Sequence, residues 1–513
     1  MAGHDVIVVG AGSAGCVLAA RLTQRGASVL LLEAGPHYES KASLPADIAD
    51  ARAPTFTHDW GYRSVPGRVG RELPLPRGRL VGGCSATNAC FALRGSRADY
   101  DRWAAMGNDS WSFGECLPFF SAAEADADFG SAPWHGDYGP LPIRRYGESE
   151  RNAFQQGLIL AAVDCGHPFV EDHNAPDVEG VGPTPVNAVN GQRISTALAY
   201  LSLVRGSPNL VIRSDVLVDR VVLRAGRAVG VRLASPDETI DADCVVLAAG
   251  TYGSPTLLMR SGIGPAGELA ALGGPCVLDV SGVGRSLADH PWVPVGLPVT
   301  ITTDGPGFQT VLTWRSALAD TAGPPDLQIF AQGPFKADGR AIGSLCAAVL
   351  KPRSRGRVTL RSLDPTDPPV IDLALLTDDD DLQRLTEGLR HAHRLFSSPT
   401  FEAIVAEGYQ RSDPPNDREV EAEIWAKVRT YHHPVGTCSM GQDPAIGAVV
   451  DTRCHVHGIE ALFVVDASVM PEIPSANTNL PTIMIAERIA AELSGSALWA
   501  PRSAPVLEAF PER

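Results

Sequence analysis

Three glycines at G-x-G-x-x-G spacing, Gly10, Gly12 and Gly15, stand directly after the β-branched run Val6 to Val9 and directly before a helical face of Val17, Leu18 and Leu22. In that setting each glycine has its own task. The first permits a tight turn, the second lets backbone approach a pyrophosphate, and the third lets helix and strand pack closely. The amides that open the helix, at Ser13 and Ala14, are then free to hold phosphate oxygens. Glu33 ends the next apolar run, 18 residues after Gly15, where a carboxylate accepts hydrogen bonds from the hydroxyls of an unphosphorylated ribose. NAD and FAD share this half of the molecule, so the motif alone does not separate them. A reductase using both would carry a second such motif near mid-chain, and none is present.

Other chemistry-bearing residues carry less. His455 and His457 form an H-V-H pair, but the only further ligand nearby is the adjacent Cys454, which does not complete a metal site; no metal is expected. The ten cysteines include no C-x-x-C pair and read as reduced, small apolar side chains. The acidic run Asp378 to Asp381 precedes a helical pattern, where negative charge suits the positive end of the helix dipole.

These residues need a scaffold to position them. Strand, glycine turn, helix and the second strand Val29 to Leu32 open a doubly wound parallel sheet. From about residue 34 to 77, Pro, Gly and aromatic residues suggest an extended loop region. NLVIRSDVLVDRVVLRAGRAVGVRL and CVVLAAG (244–250) then return the chain to sheet, so the nucleotide-binding domain is discontinuous. Residues 292–430 read as a second sheet plus a helix carrying Leu382, Leu385, Leu389, Ala392 and Phe396 at helical spacing. ALFVVDAS reads as a strand, and Thr482 to Leu493 as a helix behind Pro481.

The 513 residues, 44% hydrophobic and 20% charged, suit a large globular enzyme. A formal charge of -16, with scattered Lys and Arg, argues against nucleic acid as a partner. No signal-peptide pattern opens the sequence, and no window approaches the roughly 20 apolar residues of a membrane span. A cytoplasmic enzyme is expected, with peripheral membrane attachment left open.

Five blocks in order resemble the glucose-methanol-choline (GMC) oxidoreductase family over nearly the whole chain. They are DVIVVGAGSAGCVLAARL with LLEAG, GRLVGGCSATNACFALRGSRADYDRW (78–103), GSPTLLMRSGIGP (253–265) with GVGRSLADHP (282–291), YHHPVGTCSMG, and VVDASVMPEIPSANTNLPTIMIAE. The resemblance implies FAD and a combined α/β and α+β fold, in which a discontinuous Rossmann-like FAD domain interleaves with a substrate domain built on an antiparallel sheet with helices. The implied division is 1–291, mostly FAD-binding; 292–430, mainly substrate-binding; and 431–495, returning to the FAD domain with the active site. Gly82 and Gly83 allow backbone to lie along the flavin, and Asn88 offers polar contacts. Asp466 and Ala467 suit the pyrophosphate and ribityl region, and Val218 the adenine edge. Ala34, Arg79, Ser85, Ala89, Ala249, Gly250, Asn479 and Pro481 complete the expected cofactor contacts. Two departures matter. Cys84 replaces a usual Gly, Ser or Thr, as in choline-oxidase-like members. Some of those attach FAD through a His just before the signature Asn, and Thr87 here forms no such bond, so noncovalent FAD is implied.

Taking hydride from an alcohol carbon requires removal of the hydroxyl proton, and an imidazole is a suitable base. The resemblance assigns that role to His433, in H-P-V-G-T-C, with His432 pointing elsewhere in an extended segment. It places the second active-site residue at Asn479, two residues after Asn477, as a donor to the developing alkoxide. Oxygen, a quinone or a protein carrier would reoxidise the flavin. The substrate is a small alcohol, choline being one candidate beside primary aliphatic, aromatic and sugar alcohols. Other flavin chemistry on this fold, as in a lyase or photodecarboxylase, and a non-catalytic flavin binder are the alternatives.

Overall fold

The runs Val29–Leu32 and Val6 to Val9 are buried on both faces, which a central parallel strand requires. In the computed structural model, which describes residues 3–302, 305–337, 339–406 and 415–495, they lie side by side in a seven-stranded sheet. Its order is Leu210–Arg213, Val29–Leu32, His4–Val9, Thr239–Leu247, Arg227–Ser235, Leu217–Arg224, and Leu462–Val464 also pairs with Thr239–Leu247. The first half of Thr239–Leu247 pairs antiparallel with Arg227–Ser235, and the last three residues pair parallel with Leu462–Val464. Strands from the start, middle and end of the chain thus build one nucleotide-type sheet, as the sequence pattern implies.

Helix Ser13–Gln24 follows the glycine turn and packs against the last helix, Asn479–Gly495. A Cβ on Gly15 would stand 1.8 Å from the Gly10 carbonyl oxygen, so no other residue fits at that crossing. The last helix begins three residues earlier than the pattern predicts. Pro481 lies in its first turn, where its missing N–H leaves no helical hydrogen bond unmade.

The second sheet is antiparallel and six-stranded: Arg429–Thr430, Pro291–Val299, Arg340–Val349, Leu327–Ala337, Thr310–Trp314 and Gly180–Pro183. Its last strand comes from before residue 292, so the sheet borrows from the N-terminal segment. Strand alternation splits its faces. Leu327, Ile329, Ala331, Leu345 and Ala347 share a core with helices Ala153–Asp164 and Asp379–Phe396, while Phe330, Cys346, Ala348 and Trp292 form a second, aromatic cluster. The acidic run does cap the second of these helices, where Asp378 accepts from the Asp380 amide. Asp381 does more than the dipole argument asks: it is buried and accepts from the amides of Arg353 and Ser354.

One buried charge cluster has no counterpart in the sequence reading. Glu124, Asp126 and His135 could by type hold a metal, but two guanidinium groups sit among them. Arg94 pairs with Glu124 at 2.8 Å, and Arg145 bridges Asp126 and Asp172. Removing one partner leaves a buried charge uncompensated. Arg94→Ala should therefore lose about 3–5 kcal/mol of stability. Arg63→Ala, which breaks the exposed pair with Glu72, should lose at most about 1 kcal/mol. Denaturant titration of both variants checks this, and equal losses would contradict the buried-charge account.

Candidate active site

Two glycine turns face each other at the start of helix Ser13–Gln24. The Gly82 amide donates to the Ala11 carbonyl at 2.7 Å, and a Cβ on Gly83 would lie 2.6 Å from the Gly12 Cα. Ser85 fastens this contact: its Oγ donates to the Gly82 carbonyl and meets Thr196 Oγ1 at 2.9 Å, and Thr196 in turn reaches the Gly12 carbonyl. A Cβ on Gly12 would meet nothing closer than 3.9 Å, so the backbone there faces open space beside the helix N-terminus, where phosphate oxygens are favoured. The residues present therefore fit a dinucleotide.

Glu33 accepts from the Ala11 amide at 2.9 Å and the Gly35 amide at 3.0 Å. It ties the strand end to the glycine turn, and each oxygen keeps a lone pair for a further hydroxyl. Burial pushes its pKa up to about 7 against those hydrogen bonds and Arg79. Arg79 donates to the Ala34 carbonyl and lies 5.0 Å over the Trp60 ring. Val218 is buried on the strand that follows Val216, whose amide donates to the Glu33 carbonyl. Asp466 accepts from the Gly250 and Ser468 amides and from Ser254 Oγ, which itself accepts from the Ala249 amide; burial raises its pKa. Ala467 opens the turn that follows. Asn88 Oδ1 accepts from the Cys90 amide, and Ala89 packs against the aromatic cluster. Ala14 and Pro481 lie in the first turns of their helices, both buried.

His433 stands just after Arg429–Thr430, the edge strand of the second sheet. Its Nε2 is 3.0 Å from Asn477 Nδ2, its Nδ1 is 3.0 Å from His290 Nδ1, and its amide donates to Asp289 Oδ1 at 3.0 Å. Tyr431 lies 4.3 Å from its ring centroid, and Phe330 stacks on Tyr431 at 4.8 Å, joining the aromatic sheet face to the histidine. The structure does not bring Asn479, expected as the second active-site residue, to His433. Asn479 Oδ1 accepts from Ser13 Oγ at 2.7 Å, which turns it to the glycine turn, whereas Asn477 faces His433. The cause is the helix start: Asn479 begins the last helix over the N-terminus of the first, and Asn477 lies in the preceding turn. His432 makes none of the His433 contacts, but not because the segment is extended. Its φ is +65°, and this left-handed bend separates the two rings.

The bend is clamped. Thr430 Oγ1 accepts the His432 amide and donates to Asp289, and Arg77 donates to the His432 carbonyl at 2.7 Å. Burial pushes Asp289 up to about 6. His432 falls to about 3 through burial, Arg77 and Arg429, and His290 to about 3 through burial and Lys351. His433 is held well below its ordinary value by burial, then by His290, His432 and Arg77. Arg77, Asp289, His290 and Tyr431 were not singled out from sequence. Asp289 and His290 do lie in the GVGRSLADHP block, but nothing in their type says that they meet a residue more than 140 positions away. His455 and His457, by contrast, are structural: one packs edge-on to Phe463, and the other bonds the Gly441 carbonyl.

Comparison with known proteins gives the family of the chain. Sequence models described as GMC oxidoreductase match residues 4–292 and 352–486. The 5-(hydroxymethyl)furfural oxidase of Methylovorus sp. is 34% identical, over 95% of this chain and 98% of its own length. An oxygen-dependent choline dehydrogenase of Photobacterium profundum is 33% identical over 98% and 95%. The solved structure of pyridoxine 4-oxidase from Mesorbium loti superposes with a TM-score of 0.88 at 31% identity, covering 95% of this chain and 99% of that one. Matches of that extent, through both halves of the sequence, show that the chain belongs to the GMC oxidoreductase family.

Proposed function

We propose that the protein oxidises an alcohol to an aldehyde or ketone using noncovalently bound FAD, with His433 as base and Asn477 as the donor to the alcohol oxygen. The observation that carries this reading is the 3.0 Å approach of His433 Nε2 to Asn477 Nδ2. A hydroxyl entering between them donates its proton to Nε2 and accepts from the amide, which stabilises the alkoxide as it forms. Bound FAD supplies the hydride acceptor. The role of Asn479 is then with the cofactor, through Ser13, and Glu33 remains the ribose acceptor.

The low pKa of His433 keeps its lone pair free at neutral pH. It also makes the imidazole a weak base until an alkoxide forms beside it, when the opposite charge favours protonation. The aromatic face of Trp292, Phe330 and Tyr431 suits a flat, uncharged alcohol. The buried carboxylate at the site, Asp289, is already engaged by Thr430 and the His433 amide, while the Arg429 guanidinium lies over the Trp292 ring. Among the relatives, 5-(hydroxymethyl)furfural and pyridoxine are ring-bearing alcohols of this kind, and choline is not. All ten cysteines are free, which supports a reducing, cytoplasmic setting. No helix among the described residues is long and apolar enough to cross a membrane.

His433→Ala should retain FAD but slow anaerobic flavin reduction by roughly 10²- to 10⁴-fold, and His432→Ala should do much less. In the wild type, reduction should rise with pH through a single ionisation and then level. Because the folded pKa is depressed, the inflection should lie below about 6.5, the ordinary value of histidine. A rate that falls as pH rises would overturn the base assignment. An alcohol panel in the same assay should favour ring-bearing substrates, and readmitted oxygen then separates an oxidase from a dehydrogenase. Acid precipitation should leave the yellow flavin in solution, because Thr87 offers no imidazole for attachment; colour retained on the pelleted chain would contradict noncovalent binding.

A further inference from the structure

We infer that His290 is a positioning residue that fixes which nitrogen of His433 carries the proton, so that Nε2 presents its lone pair to the substrate hydroxyl. The inference rests on His433 being the base.

Two neutral imidazoles 3.0 Å apart through Nδ1 share one proton, so one ring donates and the other accepts. The amide of Asn477 on the far side of His433 settles the direction. With Nδ2 facing it, His433 Nε2 accepts, the single N–H of His433 is on Nδ1, and His290 Nδ1 accepts that proton. The proton of His290 is then on its own Nε2. The surroundings favour this tautomer. His290 Nε2 is buried with no hydrogen-bond partner, and the carbonyls of Leu350 and Pro474 flank the ring; carbonyls accept but do not donate. The reverse arrangement would leave a bare, buried lone pair beside those carbonyls while turning the Asn477 oxygen toward the base.

His290 is also rigid relative to His433. It is wholly buried, and its ring meets that of His433 edge to face, with centroids 5.2 Å apart. Its carbonyl accepts the Tyr431 amide at 2.9 Å, and Ala288 and Val435 exchange both of their backbone hydrogen bonds. The preceding residue, Asp289, holds the His433 amide. Titratable and charged groups face the pair from every side: His432, Tyr431 and Asp289 on the adjoining segments, Arg77 below the bend, Arg429 beyond His432, and Lys351 near His290. Lys351 and burial keep His290 neutral and able to accept.

When the substrate reacts, its O–H bond breaks and an N–H bond forms at His433 Nε2, while the hydride leaves the carbon for the acceptor that bound FAD would supply. His433 then carries a proton on each nitrogen, and the bond from Nδ1 to His290 becomes charge-assisted and stronger. No proton leaves His290. Its contribution is to the basicity and aim of its neighbour, as with partners of the second nitrogen of other functional histidines.

The test uses the FAD-loaded enzyme with two variants. His290→Leu fills similar space without an acceptor, and His290→Gln keeps one. The Leu variant should slow anaerobic flavin reduction roughly 10- to 100-fold, with substrate affinity little changed and the pH inflection displaced from that of the wild type, since His433 has lost both the acceptor of its Nδ1 proton and a neighbour that holds its pKa down. The Gln variant should recover most of the rate and the inflection. In ¹⁵N-histidine NMR of the wild type, His433, identified by its loss in His433→Ala, should show a protonated Nδ1 and a bare Nε2. A bare Nδ1 would overturn the proposal even if the Leu variant does not fold. Wild-type rate and pH profile in His290→Leu, with His433→Ala still slow, would overturn it while sparing the base assignment. A His433→Ala enzyme as fast as wild type would remove both.

Discussion

Backbone contact between the turns at Gly12 and Gly83 governs this site, because it closes a cradle from segments far apart in the chain. A single Cβ at Gly83 would press into the Gly12 Cα, and the consequences would spread outward. The first helix and the last helix both start at this contact, bridged by Ser13 and Asn479. The turn just before the last helix carries Asn477 to His433. Packing two chain reversals without side chains thus shapes the glycine cradle and, within a few residues, the His433–Asn477 pair.

Electrostatics at the pair is local rather than global. The protein carries a formal charge of -16, which bears on solubility. Yet the charged groups and rings that hold the His433 pKa down are two further histidines and Arg77, and Arg429 and Lys351 act on those histidines. In a buried site such neighbours outweigh distant surface charge, which water and salt screen. The resulting environment disfavours an imidazolium at rest.

Much of the frame was legible in the sequence because local rules dictate it. The β-branched run, the spaced glycines and the apolar helix face at residues 6–22 define one supersecondary unit, and Glu33 falls where that unit needs a carboxylate. The antiparallel sheet was legible as a sheet, but the Gly180–Pro183 strand was not, since four residues rich in Gly and Pro carry no alternation. The Arg94, Glu124, His135, Arg145 and Asp172 cluster was equally hidden. Its members are separated by long stretches, and burial, not spacing, brings them together.

The exchange of Asn477 for Asn479 shows why a motif read from sequence fixes a neighbourhood more firmly than a contact. Both residues have the same side chain, and both stand near the start of the same helix. Asn479 takes its direction from the first helical residue, whereas Asn477 lies two residues outside the helix and follows the preceding segment, so one amide faces the first helix and the other the histidine. Sequence could predict a capping role or a catalytic role for either. The deciding fact is that the helix begins at Asn479, three residues before the apolar pattern suggests. That start is set by the packing of the last helix on the first, which brings Asn479 to Ser13. The placement of the Asn477 amide is thereby a consequence of the glycine cradle: the crossing that leaves open space at Gly12 also delivers Asn477 to His433 Nε2.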